Sequence, residues 1–448
     1  MGRMPVKPRW TDRALKSAAL IAASLLFVIA FASSPVVKNI ASGITALNSG
    51  RSSGLTPSTH GGTGQSAVAS APGSSDGRTA NPGSKSMGPA YQTSNGSVVG
   101  NAPTTTATSI GLWASDWGGA AAKRSTAGWQ AAARNDRILI GNAGVYPKWI
   151  PQLHGWNPNL TVLVYNVGPY LQKGTSTYSQ VLSAHPTWFA HDSHGRLINL
   201  PMFPSNYLMD AGSAAYRAGH ATQIAASGSG GGFDGAMVDS VGDDVLGHYA
   251  SGVPVNPSTH QTYSVTTWLG DEVLLLNSDK AAIGGKYLAF NGLVSGPDYA
   301  RDSSILATAN ADAGIAELFL RQPKNSINAF PSATEMQQSL AMMTAMAARG
   351  KAFLGWTKVW VSASSAQLAK WETFSLGVYL LGRSSASYLD FMPSHSADNT
   401  VISYSNLTTN LGAALGPYTV SGSTFTRSFQ SGKVTVNAST YAVSIQVV

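Results

Sequence analysis

The chain has 448 residues, 43% of them hydrophobic and only 11% charged, enough apolar material for one large domain with appendages. Half of its formal +8 charge lies before residue 17, where five basic residues face one acid, and no basic cluster with interleaved aromatics follows, so nucleic-acid binding is excluded as a reading. Cysteine is absent, which removes disulfides, thiolate metal sites and thiol nucleophiles.

Residues 17–32, SAALIAASLLFVIAFA, form an apolar run behind a basic stretch. This suits a signal-peptide core with Ala30-Phe31-Ala32 as the cleavage site. An uncleaved anchor extended through Ser33–Val37 is the alternative. Either form places the chain after residue 40 outside the cytoplasm, with membrane contact only through this N-terminal segment. Residues 41–108 are Ser, Gly, Thr, Ala, Asn and Pro with hardly a large apolar side chain. Such a stretch cannot offset its ordering entropy by burial and is expected to be a disordered linker.

From Ser109 the texture changes. Apolar, β-rich runs at 109–113, 137–142, 160–166, 235–240, 286–292, 314–320, 351–357 and 387–392 alternate with helical patterns near 119–134, 213–227, 264–283, 297–309, 333–349 and 364–382. Eight buried-type strands with helical connections predict a parallel α/β sheet closed into a (β/α)8 TIM-type barrel over 109–392, with a doubly wound sheet as runner-up. SNYLMD (205–210) is a ninth strand or an edge piece. Beyond 393 the helical patterns stop, and short strands joined by turns predict an all-β, sandwich-like module over 393–448.

The chain has four glutamates, and three have structural explanations. Glu335 follows Ser332 by three residues, a capping-box spacing. Glu272 reads as the solvent face of a helix beside Asp271, and Glu372 as mid-helix. Glu317 differs, because it lies within the apolar run GIAELFLR, where an ionised carboxylate is costly unless paired or wetted by a cleft. A buried ion pair with Arg321 is its structural alternative. Asp239 ends the strand in FDGAMVDS, and in a barrel the C-terminal strand ends line the active site. Asp234, at the other end of that strand, reads as a stability residue, and Asp243 and Asp244 as cleft-lining or solvated.

These residues carry a resemblance. LVYNVGPY, HPTWFAHDSHGRL, YLMDAGSAAYR and GFDGAMVDS, followed by GIAELFL and the closing FTRSFQSGKVTVN, resemble the barrels of hypothetical glycosyl-hydrolase-like family fifteen and, more distantly, endo-α-1,4-polygalactosaminidases. The resemblance covers about 109–448 and implies a glycoside hydrolase acting on a polysaccharide, with Asp239 and Glu317 as its carboxylates and Tyr165, Asn166 and Asp210 lining the cleft. By analogy with barrels bearing acids on strands four and six, Asp239 would be the nucleophile and Glu317 the general acid/base, with retention.

Other groups expected in the cleft are Asn291, Arg321 and the sugar platforms Trp113, Trp117 and Trp356. Asp210 reads equally as a helix N-cap. His191-Asp192-Ser193-His194 lacks a third metal ligand, and no metal or cofactor is expected. A carbohydrate-binding barrel without turnover is the rival function, and a surface scaffold the third.

Overall fold

A computed structural model describes residues 110–242, 246, 250–397, 399–402 and 409–448. The expected export signal, the linker, and Asp243 and Asp244 lie outside the described residues.

Four strands lead into the heart of the chain: β1 (Trp113–Asp116), β2 (Ile138–Gly141), β3 (Thr161–Val167) and β4 (Tyr170–Gln172). Next come β5 (Asn199–Leu200), β6 (Phe203–Leu208), β7 (Gly235–Asp239), β8 (Tyr287–Asn291), β9 (Ala313–Ala316), β10 (Ala352–Lys358) and β11 (Ser387–Met392). Eight of them form one parallel sheet in the order β1-β2-β3-β7-β8-β9-β10-β11. The ends meet: Leu112 bridges Leu389 in parallel, and the Leu389 N–H donates to the Gly111 carbonyl at 2.9 Å. The sheet is therefore a barrel, and the doubly wound alternative falls.

The longer connecting helices are α1 (Thr126–Asn135), α2 (Ile150–Trp156), α3 (Ser176–Ala184), α4 (Ala214–Ser229), α5 (Val265–Ala282), α6 (Ala333–Ala348) and α7 (Ser365–Gly382). Each of six starts on a hydroxyl that accepts a backbone N–H of its first turn: Ser125, Thr175, Ser213, Ser264, Ser332 and Ser364. Ser332 and Glu335 form the expected capping box, and Ser364 with Gln367 forms a second. Ser213 takes the cap position considered for Asp210.

Strand alternation sorts side chains into two cores. Trp113, Ile138, Ile140, Leu163, Met237, Tyr287, Ala289, Ile315, Leu354, Trp356 and Tyr388 fill the barrel interior. Leu139, Val162, Val164, Val238, Leu288, Phe290, Phe353 and Leu389 face the helices. This parity decides which strand-end residues reach the mouth.

The expected ninth strand is β6, but it lies outside the barrel in a small antiparallel sheet, β4-β6-β5, inserted between β3 and α4. Strand β9 is shorter than its apolar run predicts. It ends at Ala316, residues 317–320 form a turn, and Leu320 has φ 68°. The chain thus turns off the barrel at Glu317.

The C-terminal strands β12 (Thr419–Ser421), β13 (Thr424–Phe429), β14 (Gly432–Asn437) and β15 (Val443–Val447) form one antiparallel meander. Among the described residues its second layer is a helix, not the second sheet a sandwich requires. Phe425, Phe429, Val434 and Val436 join the core that includes α7 residues Phe374 and Val378. Arg427 fastens the two, donating to the carbonyls of Leu380, Leu381 and Arg383 at 3.1, 3.0 and 2.9 Å. Those carbonyls lie at the end of the helix or just past it, where no following turn supplies an N–H.

Candidate active site

Asp239 and Asn291 end adjacent strands, and Glu317 and Lys358 follow on the next two, all in the inward-facing rows. Register explains their meeting: Val238 pairs with Phe290, Asn291 with Ile315 and Leu354 with Ile315. Asp239 and Asn291 are therefore level, while Glu317 stands one inward step beyond and Lys358 a further step.

Asn291 links the two acids. Its Nδ2 donates to Asp239 Oδ1 at 2.8 Å and to Glu317 Oε2 at 2.7 Å. An amide nitrogen has two hydrogens, so both are spent on holding the carboxylates. The Asp239 oxygens also accept from the Tyr165 hydroxyl at 2.7 Å and the Ser240 N–H at 2.8 Å. Ser240 takes φ 58° to make this contact, a conformation disfavoured for a residue with a Cβ. Lys358, 2% exposed, donates to Glu317 Oε1 at 2.7 Å and rests 3.3 Å from the centroid of the Trp356 ring.

These contacts separate the acids electrostatically. Burial and the neighbouring Glu317 charge raise Asp239 above the ordinary carboxylate range, against the pull of its three donors. Burial also pushes Glu317 up, but the Lys358 ammonium and the Asn291 amide outweigh it and hold Glu317 below its ordinary value. Burial and the Asp239 charge push the Tyr165 hydroxyl well up, so it stays a proton donor.

Backbone close approaches lock the turn after β7. Gly168 donates its N–H to the Asp239 carbonyl at 2.8 Å, and a Cβ there would stand 2.3 Å from that oxygen. A Cβ on Gly292 would stand 1.9 Å from the Val241 carbonyl oxygen. Behind the turn, Glu272 accepts from the Gly242 N–H at 2.8 Å and from Trp268 Nε1 at 3.0 Å. Glu272 is fully buried, which corrects its reading as a solvent-facing helix residue. His220 braces the end of β3: its Nδ1 lies 2.9 Å from Asp279 and its Nε2 3.2 Å from the Val167 carbonyl. Both partners are acceptors, so the ring carries two protons. Burial opposes that charge, but Asp279 prevails and raises the imidazole.

Of the residues singled out in the sequence, the structure brings together Asp239, Glu317, Tyr165 and Asn291, with Trp117 stacked 4.5 Å from the Tyr165 ring. Others stand elsewhere. Asn166 has the opposite parity from Tyr165 and points at α4, where Ser227 donates to its Oδ1 at 3.0 Å. Trp113 is 1% exposed and part of the interior core, bonded to the Gly355 carbonyl at 3.1 Å, and has no face for a sugar. Trp356, 3% exposed, lies edge-on to Trp113 and gives its face to Lys358. Asp210 joins a separate cluster, accepting from Tyr263 at 2.7 Å and the Gly212 N–H at 2.9 Å. Arg321 pairs with neither acid; it stacks on Trp371 and donates to the Asn325 carbonyl at 2.8 Å, tying down the loop after Glu317. Asp234 has the structural role expected, accepting from the Val162 N–H at 2.7 Å and facing His154 at 3.0 Å. Asp192 holds Arg196 at 2.7 Å.

Two acids at the C-terminal side of the barrel strands, tethered by one amide and shifted in opposite directions, have the arrangement that acid–base chemistry needs. The family model described as hypothetical glycosyl hydrolase family 15 matches residues 154–433. The chain belongs to this family. That membership places it among the glycoside hydrolases, and the matched span contains both acids, Asn291 and Lys358.

No curated protein matches the chain. Among solved structures it is similar to the cycloalternan-forming enzyme from Listeria monocytogenes in complex with a pentasaccharide substrate (10% identity, TM-score 0.43, covering 66% of this chain and 30% of that one). It is also similar to the cycloalternan-degrading enzyme from Trueperella pyogenes in complex with a covalent intermediate (11%, 0.43, 64% and 42%). A third is a GH31 family sulfoquinovosidase from E. rectale (12%, 0.41, 66% and 44%). The chain spans less than half the length of each, and likeness at this level extends no activity or substrate to it.

Proposed function

We propose that the chain hydrolyses glycosidic bonds of a polysaccharide by double displacement on Asp239 and Glu317. The observation that carries this reading is the shared Asn291 amide. Its 2.8 and 2.7 Å bonds keep one oxygen of each carboxylate within about 5.5 Å of the other, which favours the close spacing of retaining enzymes (~5–5.5 Å) over the ~6.5–9.5 Å that inversion needs for its water.

The charges favour an order of roles. Lys358 favours the ionised form of Glu317, and Asp239 is the acid whose proton affinity burial and the Glu317 charge raise. Glu317 then attacks the anomeric carbon while Asp239 gives its proton to the leaving oxygen, and the glycosidic C–O bond breaks to leave a glycosyl ester on Glu317. Asp239, now charged, takes a proton from water. The water oxygen bonds the anomeric carbon, the ester C–O bond breaks, and both acids return to their starting states. The order expected from strand position, with Asp239 as nucleophile, is the second reading, favoured by the three donors that orient the Asp239 carboxylate. A 2-deoxy-2-fluoroglycoside trap distinguishes them: the glycosyl mass is expected on the peptide bearing Glu317, and its appearance on Asp239 would restore the strand-position order.

The basic stretch, the apolar run 17–32 and the Ser/Gly-rich segment support action outside the cytoplasm, on a cell-surface or matrix polymer. Protease accessibility of the chain on intact cells tests this placement.

A further inference from the structure

Beyond the acids, one aromatic side chain at the mouth is engaged by no part of the reaction. Trp360, two residues past the end of β10, is half-buried where the segments after β9, β10 and β11 converge. Its backbone N–H donates to the Pro323 carbonyl at 2.9 Å, fixing the main chain here to the loop that follows Glu317. Its ring centroid lies 5.2 Å from Lys358 Nζ, the atom bonded to Glu317. The ring is therefore next to the reacting acids, unlike Trp113 and Trp356, which are walled into the core.

A lysine and a histidine flank this ring. Lys324 Nζ lies 6.0 Å from its centroid and the His395 ring 4.6 Å from it, and both residues are exposed. The Lys324 ammonium forms no ion pair among the described residues. A flat apolar face suits the C–H side of a sugar ring, and a lysine ammonium beside it suits a negative substituent. We propose that Trp360, Lys324 and His395 form a subsite beside Glu317 for an anionic sugar unit, a uronate or a sulfated residue. The proposal rests on the carbohydrate reading of the cleft and adds its substrate class. It also implies that cationic amino-sugar polymers are poor ligands.

Affinity electrophoresis of the full chain through gels containing polygalacturonate, alginate, hyaluronan or chondroitin sulfate tests it. Controls are carboxyl-reduced polygalacturonate and unsulfated chondroitin, and carboxylate and sulfate recognition are read from these two pairs. The expected result is retardation by at least one polyanion, weakened about tenfold or more by removing its anionic group. Trp360→Ala, which leaves net charge unchanged, is expected to abolish it, and Lys324→Ala to weaken it several-fold. Lys433→Ala on the exposed face of the C-terminal sheet should leave it intact, which separates the subsite from general attraction of a basic chain. Equal retardation by reduced polymers, no retardation by any polyanion, or indifference to Trp360→Ala would overturn the subsite. Reducing-end release is scored in parallel: binding without release sinks hydrolysis and spares the subsite, and release without charge preference does the reverse.

Discussion

Lys358 Nζ and Glu317 Oε1 stand 2.7 Å apart, and this is the ion pair that makes two neighbouring carboxyl groups unlike. Without it burial and the neighbouring carboxylate would raise both acids. Lys358→Met is expected to move the acid limb of the kcat/KM–pH profile upward by about one unit or more. The sign follows from Glu317, whose lowered value keeps it ionised as pH falls; removing the cation makes it protonate at higher pH. An unmoved acid limb in the variant would remove Lys358 from this role.

Asn291 makes a separate claim. Asn291→Ala removes both tethers while leaving the barrel core untouched, so kcat should fall about 100-fold. Thermal unfolding measured beside the kinetics should change little. A variant that unfolds early would mark Asn291 as structural first.

Gly292→Ala places a methyl against the Val241 carbonyl, whose own N–H donates to the Asn291 carbonyl at 2.9 Å. The backbone after Asp239 must shift, because the obstacle is main chain and cannot rotate away. Both stability and turnover are expected to fall, by roughly 1–3 kcal/mol in a denaturant titration for the overpacking. Full retention of both would contradict the close approach.

His220 offers a pH test that does not involve Asp239 or Glu317. Its value is raised on folding, so its contribution is fully present below the ordinary imidazole pKa near ~6.5 and is lost as pH rises through the folded value. His220→Ala leaves Asp279 charged in the interior and is expected to cost about 3–5 kcal/mol at pH 6. That deficit should shrink towards alkaline pH in unfolding titrations. A deficit independent of pH would mean the ring is held neutral.

The barrel was legible because buried parallel strands write continuous apolar runs that alternate with helical patterns. Asp239 and Glu317 stood out for the same reason, as acids where an apolar run permits none without a purpose. Tyr165 and Asn166 show where reading stopped: both end one strand, and only the barrel's inside–outside parity separates the mouth residue from the helix-facing one. Lys358 escaped notice because a lysine at the end of an apolar run reads as a solvated terminus, and its partner lies 41 residues away. Trp113 and Trp356 look like platforms in a sequence, yet a closed eight-stranded sheet needs large side chains to fill its interior. The C-terminal strands were visible, whereas their packing partner, α7, follows from long-range contact that no local pattern encodes.

Reducing-end release from a panel of bacterial exopolysaccharides by the full chain, beside Asp239→Asn and Glu317→Gln, tests the central claim most directly. The account expects release by the parent chain and loss of at least about 1,000-fold in each variant, with circular dichroism unchanged. Release that survives either substitution in a folded chain would contradict the two-carboxylate assignment.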